Sequence, residues 1–181
     1  MSPMVRLPIT TELALLGFLN INHMHGYEIH RRMSDPSGLG QVWRIKQSQL
    51  YALLGKLEEA GYIVSKLEPQ DSKPPRKVYR LTPQGKDTFQ DWVKKPVDKG
   101  RAMRLDFLVK FYFARLQGLK VSHQLVDQQS AVCQQWLKSQ QALNMKVDKA
   151  DTYKWLICQF RHGQIKAMHE WITICKQVLD G

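Results

Sequence analysis

The sequence predicts a mainly α protein in two parts: a first half in which helices flank one β-hairpin, and a second half that is helical throughout. Three observations lead there. Apolar residues recur at three- and four-residue spacing over much of the chain. Two short runs rich in β-branched and aromatic residues, Tyr62–Leu67 and Lys77–Leu81, face each other across a polar turn. The stretch Lys94-Lys95-Pro96-Val97-Asp98-Lys99-Gly100 sets Pro and Gly near the midpoint, and no proline follows it. We place the boundary there, giving residues 1–97 and 98–181.

Thr10-Thr11-Glu12 opens an apolar segment running to Ile21, with Leu13, Leu16 and Leu19 at helical spacing and Thr10 or Thr11 as the expected cap. His25-Gly26 breaks this helix, and a short second one covers Tyr27 to Met33. Asp35-Pro36-Ser37-Gly38-Leu39-Gly40 is a loop. A third helix runs from about Lys46 to Ala60 and stops at Gly61, a suitable left-handed terminator. The two strand-like runs then pair around Glu68 to Arg76, whose Pro69, Pro74 and Pro75 suggest a long tip. Thr82-Pro83 starts a fourth helix with a cap and a proline at the first helical position. Three helices, a two-stranded β wing and a closing helix describe a winged helix-turn-helix.

Composition narrows the function. The chain has 181 residues, 43% of them hydrophobic, enough for a packed core. Its longest apolar run near the start, Leu13 to Leu19, is far short of the roughly 18 residues a membrane span needs. The opening MSPMVRLPITTEL lacks a charged head followed by an apolar stretch, so secretion is not expected. Cys133, Cys158 and Cys175 are odd in number and form no CxxC pair, which fits a reducing, cytoplasmic setting. A formal charge of +11 favours polyanionic partners without choosing among them.

The choice comes from local pattern. On the third helix Leu50, Leu53, Leu54 and Leu57 share one arc, the core stripe. The opposite arc holds Ser48, Ala52, Gly55, Lys56 and Glu59, flanked by Gln49 and Tyr51. Small residues at 52 and 55 let a helix lie close to the floor of a DNA major groove, where Gln can pair with adenine edges. A helix merely exposed to water is the plainer alternative. Two stretches carry cations and no acid: Pro36 to Leu57, with Arg44, Lys46 and Lys56, and Ser72 to Lys86, with Lys73, Arg76, Lys77, Arg80 and Lys86. They coincide with the helix and the wing that would meet phosphates.

The segment QLYALLGKLEEAGYI followed by PPRKVYRLTPQGKDTFQDW resembles the PadR family of winged-helix transcriptional regulators. The resemblance spans Thr11 to Trp92 and rests on Tyr51, Leu54, Leu57, Glu58, Gly61, Pro75, Arg76, Tyr79, Thr82, Gly85 and Trp92. It implies operator contact by Tyr51 and the residues before it, Gln47, Ser48 and Gln49, with the wing tip reaching phosphate or minor groove. One departure is that the family often has Ser or Thr near position 46, where this chain has Lys46. The second half is similar, in length and pattern only, to the helical dimerisation domain of the subfamily with large C-terminal regions.

In that half the final segment has a heptad seam: Tyr153, Ile157, Phe160, Gln164, Ala167, Trp171, Ile174 and Val178. Leu156, Cys175 and Leu179 form a second stripe. Leu105 to Leu116 is apolar nearly all round and is expected at the centre of the helical packing. A middle helix from about Val121 to Met145 offers Leu125, Val132, Trp136 and Leu143. The seam needs a partner helix, and two-fold operators are read by dimers, so a homodimer is expected. Nine aromatic residues here (Phe107, Phe111, Tyr112, Phe113, Trp136, Tyr153, Trp155, Phe160, Trp171) are either plain core or the lining of a pocket for a small aromatic effector, which the resemblance permits.

No cofactor is implied and an enzyme is not expected. GxSxG, P-loop and GxGxxG elements are absent, and no nucleophile has an obvious base. Cys158 and His162, four apart, with His169 a heptad on, lack carboxylates nearby, so no metal is expected. The reading is therefore a dimeric repressor acting on double-stranded DNA in the cytoplasm. A winged-helix module for protein–protein contact is the alternative.

Overall fold

The computed structural model describes residues 9–70 and 73–181, without the side chains of Gln70, Lys73 and Pro74. The chain divides into two compact units, Met1–Val93 with Leu108–Phe113, and Lys94–Phe107 with Ala114–Gly181. In chain order the elements are α1 (Thr10–Ile21), β1 (Met24–His25), α2 (Gly26–Met33), α3 (Gln47–Glu59), β2 (Ile63–Gln70), β3 (Lys73–Leu81), α4 (Pro83–Lys94), α5 (Asp106–Gln117), α6 (Leu119–Asn144) and α7 (Thr152–Asp180). One-turn 3₁₀ segments at Leu39–Gln41 and Gly100–Met103 complete them.

The first unit is a winged helix-turn-helix built around α1, whose residues from Glu12 to Leu19 are all buried. Its start differs from expectation. Neither Thr10 nor Thr11 is the cap: both are already helical, and the free N–H of Ile9 donates instead to Glu12 Oε2 at 2.9 Å. Phe113 is an aromatic hub, edge-on to Phe18 at 5.2 Å and to Phe89 of α4 at 5.5 Å. Gly17 permits this approach, because a Cβ there would lie 2.6 Å from the Phe113 ring. That packing also corrects the expectation that Leu105 to Leu116 centres the helical half. Leu108–Phe113 is spent on the first unit, where aromatic partners and a glycine notch await it.

The sheet has three strands in the order β1-β3-β2, not the two of the expected wing. Met24 pairs with Tyr79 and His25 with Val78, so the segment read as a helix break also ties the end of α1 to the wing. Two residues are too few to show a period of two, which is why the sequence hides this strand. The hairpin is longer than expected too. Pairing runs from Ile63↔Leu81 out to Gln70↔Lys73, so Pro69, Pro74 and Pro75 sit within strands rather than in a long tip. The register slips between Glu68 and Gln70, at Pro69, a place where a residue without an N–H is tolerated.

Helix α3 ends as its glycine predicts. Gly61 takes φ 76°, its N–H donates to Glu58 O at 3.1 Å, and Tyr62 N–H donates to Leu57 O at 2.9 Å. Thr82 then joins this terminus to the next helix. Its hydroxyl donates to Gly61 O at 2.7 Å and accepts from Gly85 N–H at 3.1 Å, capping α4.

In the second unit α6 and α7 form an antiparallel hairpin, with Asp127 against Lys176 at 2.7 Å and Gln140 donating to Cys158 O at 3.4 Å. The buried face of α6 is Ser122, Leu125, Val126, Gln129, Ser130, Cys133 and Gln140. Of the expected stripe only Leu125 is fully buried; Val132 and Trp136 are half-buried and Leu143 is 53% exposed. The cause is that small and amide side chains do core work here. Gln129 exchanges two hydrogen bonds with the backbone of Val97, accepting at 2.7 Å and donating at 3.2 Å, and so satisfies its polar atoms while buried. On α7 the buried residues are Ile172, Cys175 and Leu179, whereas Leu156, expected on the same stripe, is exposed. Burial pushes the Cys175 thiol up to about 11, since a thiolate would be desolvated there. Phe107 packs edge-on to Trp171 at 5.8 Å. Among the described residues, no helix is long and apolar enough to cross a membrane.

Candidate nucleic-acid interface

The leucine stripe of α3 fixes which side of that helix is free. Leu50, Leu53, Leu54 and Leu57 are buried, which turns Gln47, Ser48, Gln49, Tyr51, Ala52, Gly55 and Lys56 outward. A Cβ added at Gly55 would meet nothing within 4 Å. The helix begins at Gln47 with Lys46 as a cap residue that offers no side-chain hydrogen bond, so Gln47 and Ser48 lie in its first turn. Their N–H groups belong to the exposed positive end of the helix.

The wing stands beside this helix. Arg76 and Lys77 on β3 are both exposed; the Lys73 side chain lies outside those described. Lys77 is not a free cation. Its Nζ is 3.4 Å from Glu58 Oε2, and the same carboxylate accepts from the Ser65 hydroxyl and from Ser65 N–H at 3.0 Å. The Ser65 hydroxyl holds the Glu58 carboxyl below its usual range, with Lys77 adding to the effect. Glu58 thus fastens the α3 C-terminal turn to both wing strands.

Between α2, α3 and the wing opens a cleft of about 710 Å³, bordered by Tyr27 and Arg31 of α2, Tyr51 of α3, and Arg76 and Lys77 of β3. His25 Nδ1 lies 3.3 Å from Lys77 O across its base. Tyr51 does not stand free on its helix. Its ring lies on Gly26, where a Cβ would come within 2.5 Å of the ring and 3.1 Å of the hydroxyl. Behind it, burial raises the Tyr79 hydroxyl above its ordinary value, with Glu58 and then Tyr51 as lesser causes. Sequence reasoning missed Gly26, Tyr27 and Arg31, because α2 is too short to show a face. The run His30-Arg31-Arg32 was the available signal.

The other candidate residues are in the second unit. Along α7, Tyr153, Phe160, Ile174 and Val178 are 76%, 63%, 54% and 66% exposed, Gln164 and Ala167 are exposed, and Ile157 and Trp171 are half-buried. Trp171 already has Phe107 as a partner, so it is the seam residue with an internal packing role. A second cleft, of about 750 Å³, is bordered by Arg101, Arg104, Trp136, Gln140, Arg161 and Met168. Of the nine aromatic residues singled out in sequence, only Trp136 borders it. Among the described residues no group of three His, Cys, Asp or Glu is placed to hold a metal ion.

With this geometry in view, residues 15–91 match the model of the family described as "Transcriptional regulator PadR-like family". The winged-helix part of this chain is similar to PadR-like regulators. The match covers the winged helix from α1 through most of α4, and it is a family of regulators rather than of enzymes. The Bacillus subtilis negative transcriptional regulator PadR is 34% identical over 100 residues, 55% of this chain and 54% of that protein. The aligned region thus spans about half the length of that curated relative. Among solved structures, Bacillus subtilis PadR in complex with operator DNA aligns with a TM-score of 0.48 at 25% identity, over 95% of this chain and 98% of that one. The same protein in complex with p-coumaric acid aligns with a TM-score of 0.43 at 24% identity, over 96% and 100%. Within the PadR-like match lie all of the α3 and wing residues discussed above.

Proposed function

We propose that this PadR-like chain is a sequence-specific transcriptional repressor that binds double-stranded DNA as a cytoplasmic homodimer. In this reading residues 1–97 are the DNA-binding domain and residues 98–181 the dimerisation domain. The observation that carries it is the outward face of α3: apart from Tyr51, polar or small at every position from Gln47 to Lys56 outside the leucine stripe, and set beside a cationic wing. Gln47, Ser48, Gln49 and Ala52 approach base edges, while Lys56, Lys73, Arg76 and Lys77 lie near phosphates. Dimerisation uses the seam of α7, Tyr153, Ile157, Phe160, Gln164, Trp171, Ile174 and Val178, of which Tyr153, Phe160, Gln164, Ile174 and Val178 are exposed. Release from DNA follows binding of a small aromatic effector in the cleft beside Trp136, whose arginines select an anion.

A salt series on a mixed-sequence duplex tests the DNA reading. Affinity is expected to fall steeply with salt, and Lys56→Ala to make the log–log slope shallower by about one unit. Absence of binding at low salt overturns the proposal and leaves a protein-contact module.

A further inference from the structure

We propose that the cleft between α2, α3 and the wing holds one phosphate of the DNA backbone, gripped by Arg31 and Arg76 and hydrogen-bonded by Tyr51. The proposal rests on the DNA-binding reading above and assigns α2 a part in it. If α3 enters a major groove and the wing the neighbouring minor groove, what passes between them is sugar-phosphate backbone, not base edges. The cleft is the space between those two elements, so its lining meets the backbone.

The lining suits that ligand. Lys77 is engaged by Glu58 at 3.4 Å, and Glu28, the carboxylate at the rim, is engaged by Arg32 at 3.2 Å. Arg31 and Arg76 remain: both are exposed, and neither guanidinium has an ion pair among the described residues, although Glu68 stands opposite Arg76 in the strand register. A guanidinium presents paired donors that match two phosphate oxygens. Tyr51 is directed to the same place, because its ring is laid on Gly26 with the hydroxyl end over the start of α2. So placed, Tyr51 reads backbone position and not base identity, in contrast to Gln49 on the free part of the face.

The test uses the full chain on a mixed-sequence duplex and on duplexes selected for tight binding. Arg31→Gln should make the salt slope shallower by about 0.9 units, equally on both duplexes. Lys146→Gln, which removes the same charge from an exposed position in the other unit, should leave the slope unchanged. Tyr51→Phe keeps the ring on Gly26; it should lower affinity on the order of tenfold for both duplexes with no change of slope. Replacing backbone phosphates one at a time by neutral methylphosphonate should reveal one position per half-site that weakens the wild type and not Arg31→Gln.

If wild type binds with a steep salt slope and Arg31→Gln keeps that slope, the clamp is refuted while the DNA-binding reading stands. A changed base preference in Tyr51→Phe, or an equal effect of Lys146→Gln, also refutes the clamp. A wild type that binds no duplex overturns the reading beneath it.

Discussion

Two glycines of the first unit show opposite physical reasons for the same residue. A Cβ at Gly85 would overlap the Tyr62 carbonyl oxygen, a backbone atom that cannot move aside without breaking the α3 terminus. A Cβ at Gly55 meets open space, and yet glycine there costs α3 about 1 kcal/mol relative to alanine. Gly85→Ala should therefore destabilise by about 1–3 kcal/mol in denaturant unfolding. Gly55→Ala should stabilise by about 1 kcal/mol while weakening DNA binding. A Gly55→Ala variant that gains stability and binds as well as wild type would remove the close-approach explanation for that residue. The outward role of Gly55 was legible, since the helical wheel places it opposite four leucines. The constraint on Gly85 was not, because the carbonyl it must avoid is 23 positions away in sequence.

At the scale of elements, long periodic segments were readable and short or mixed ones were not. The α3 stripe and its stop at Gly61 follow from spacing and from one left-handed residue. The two-residue β1 and the prolines inside β2 and β3 escaped, since pairing with a distant strand overrides local turn signals. The buried face of α6 escaped because Gln129 and Ser122 look like solvent residues until Val97 and Gly118 supply their partners. For α7 the heptad seam and the second stripe were both readable: Cys175 and Leu179 of that stripe are buried, and only Leu156 departs from it. The seam that stays exposed makes a prediction. Phe160→Asp, at a position 63% exposed and free of the Trp171–Phe107 contact, should yield monomers in sedimentation with little change in thermal stability. A dimer unchanged by Phe160→Asp would place the interface elsewhere.

For the molecule as a whole, net charge is a poor guide to the surface proposed to meet DNA. Residues 1–95 carry +5 and residues 96–181 carry +6, so the winged-helix half is no more basic than the helical half. What distinguishes the first is placement: cations and small residues on α3 and the wing, with Glu58 drawn inward to Ser65 and Lys77. In the second, Arg101, Arg104 and Arg161 border one cleft. The fold and the outward face of α3 were thus legible from pattern, whereas the cleft residues of α2 required three elements to be brought together. We propose that a dimer of this chain reads a two-fold DNA sequence. Selecting bound sequences from a random duplex pool tests it most directly. A dimer should enrich two inverted half-sites separated by about one helical turn or a multiple of it. A pool that enriches no sequence, or only a single unrepeated site, would contradict it.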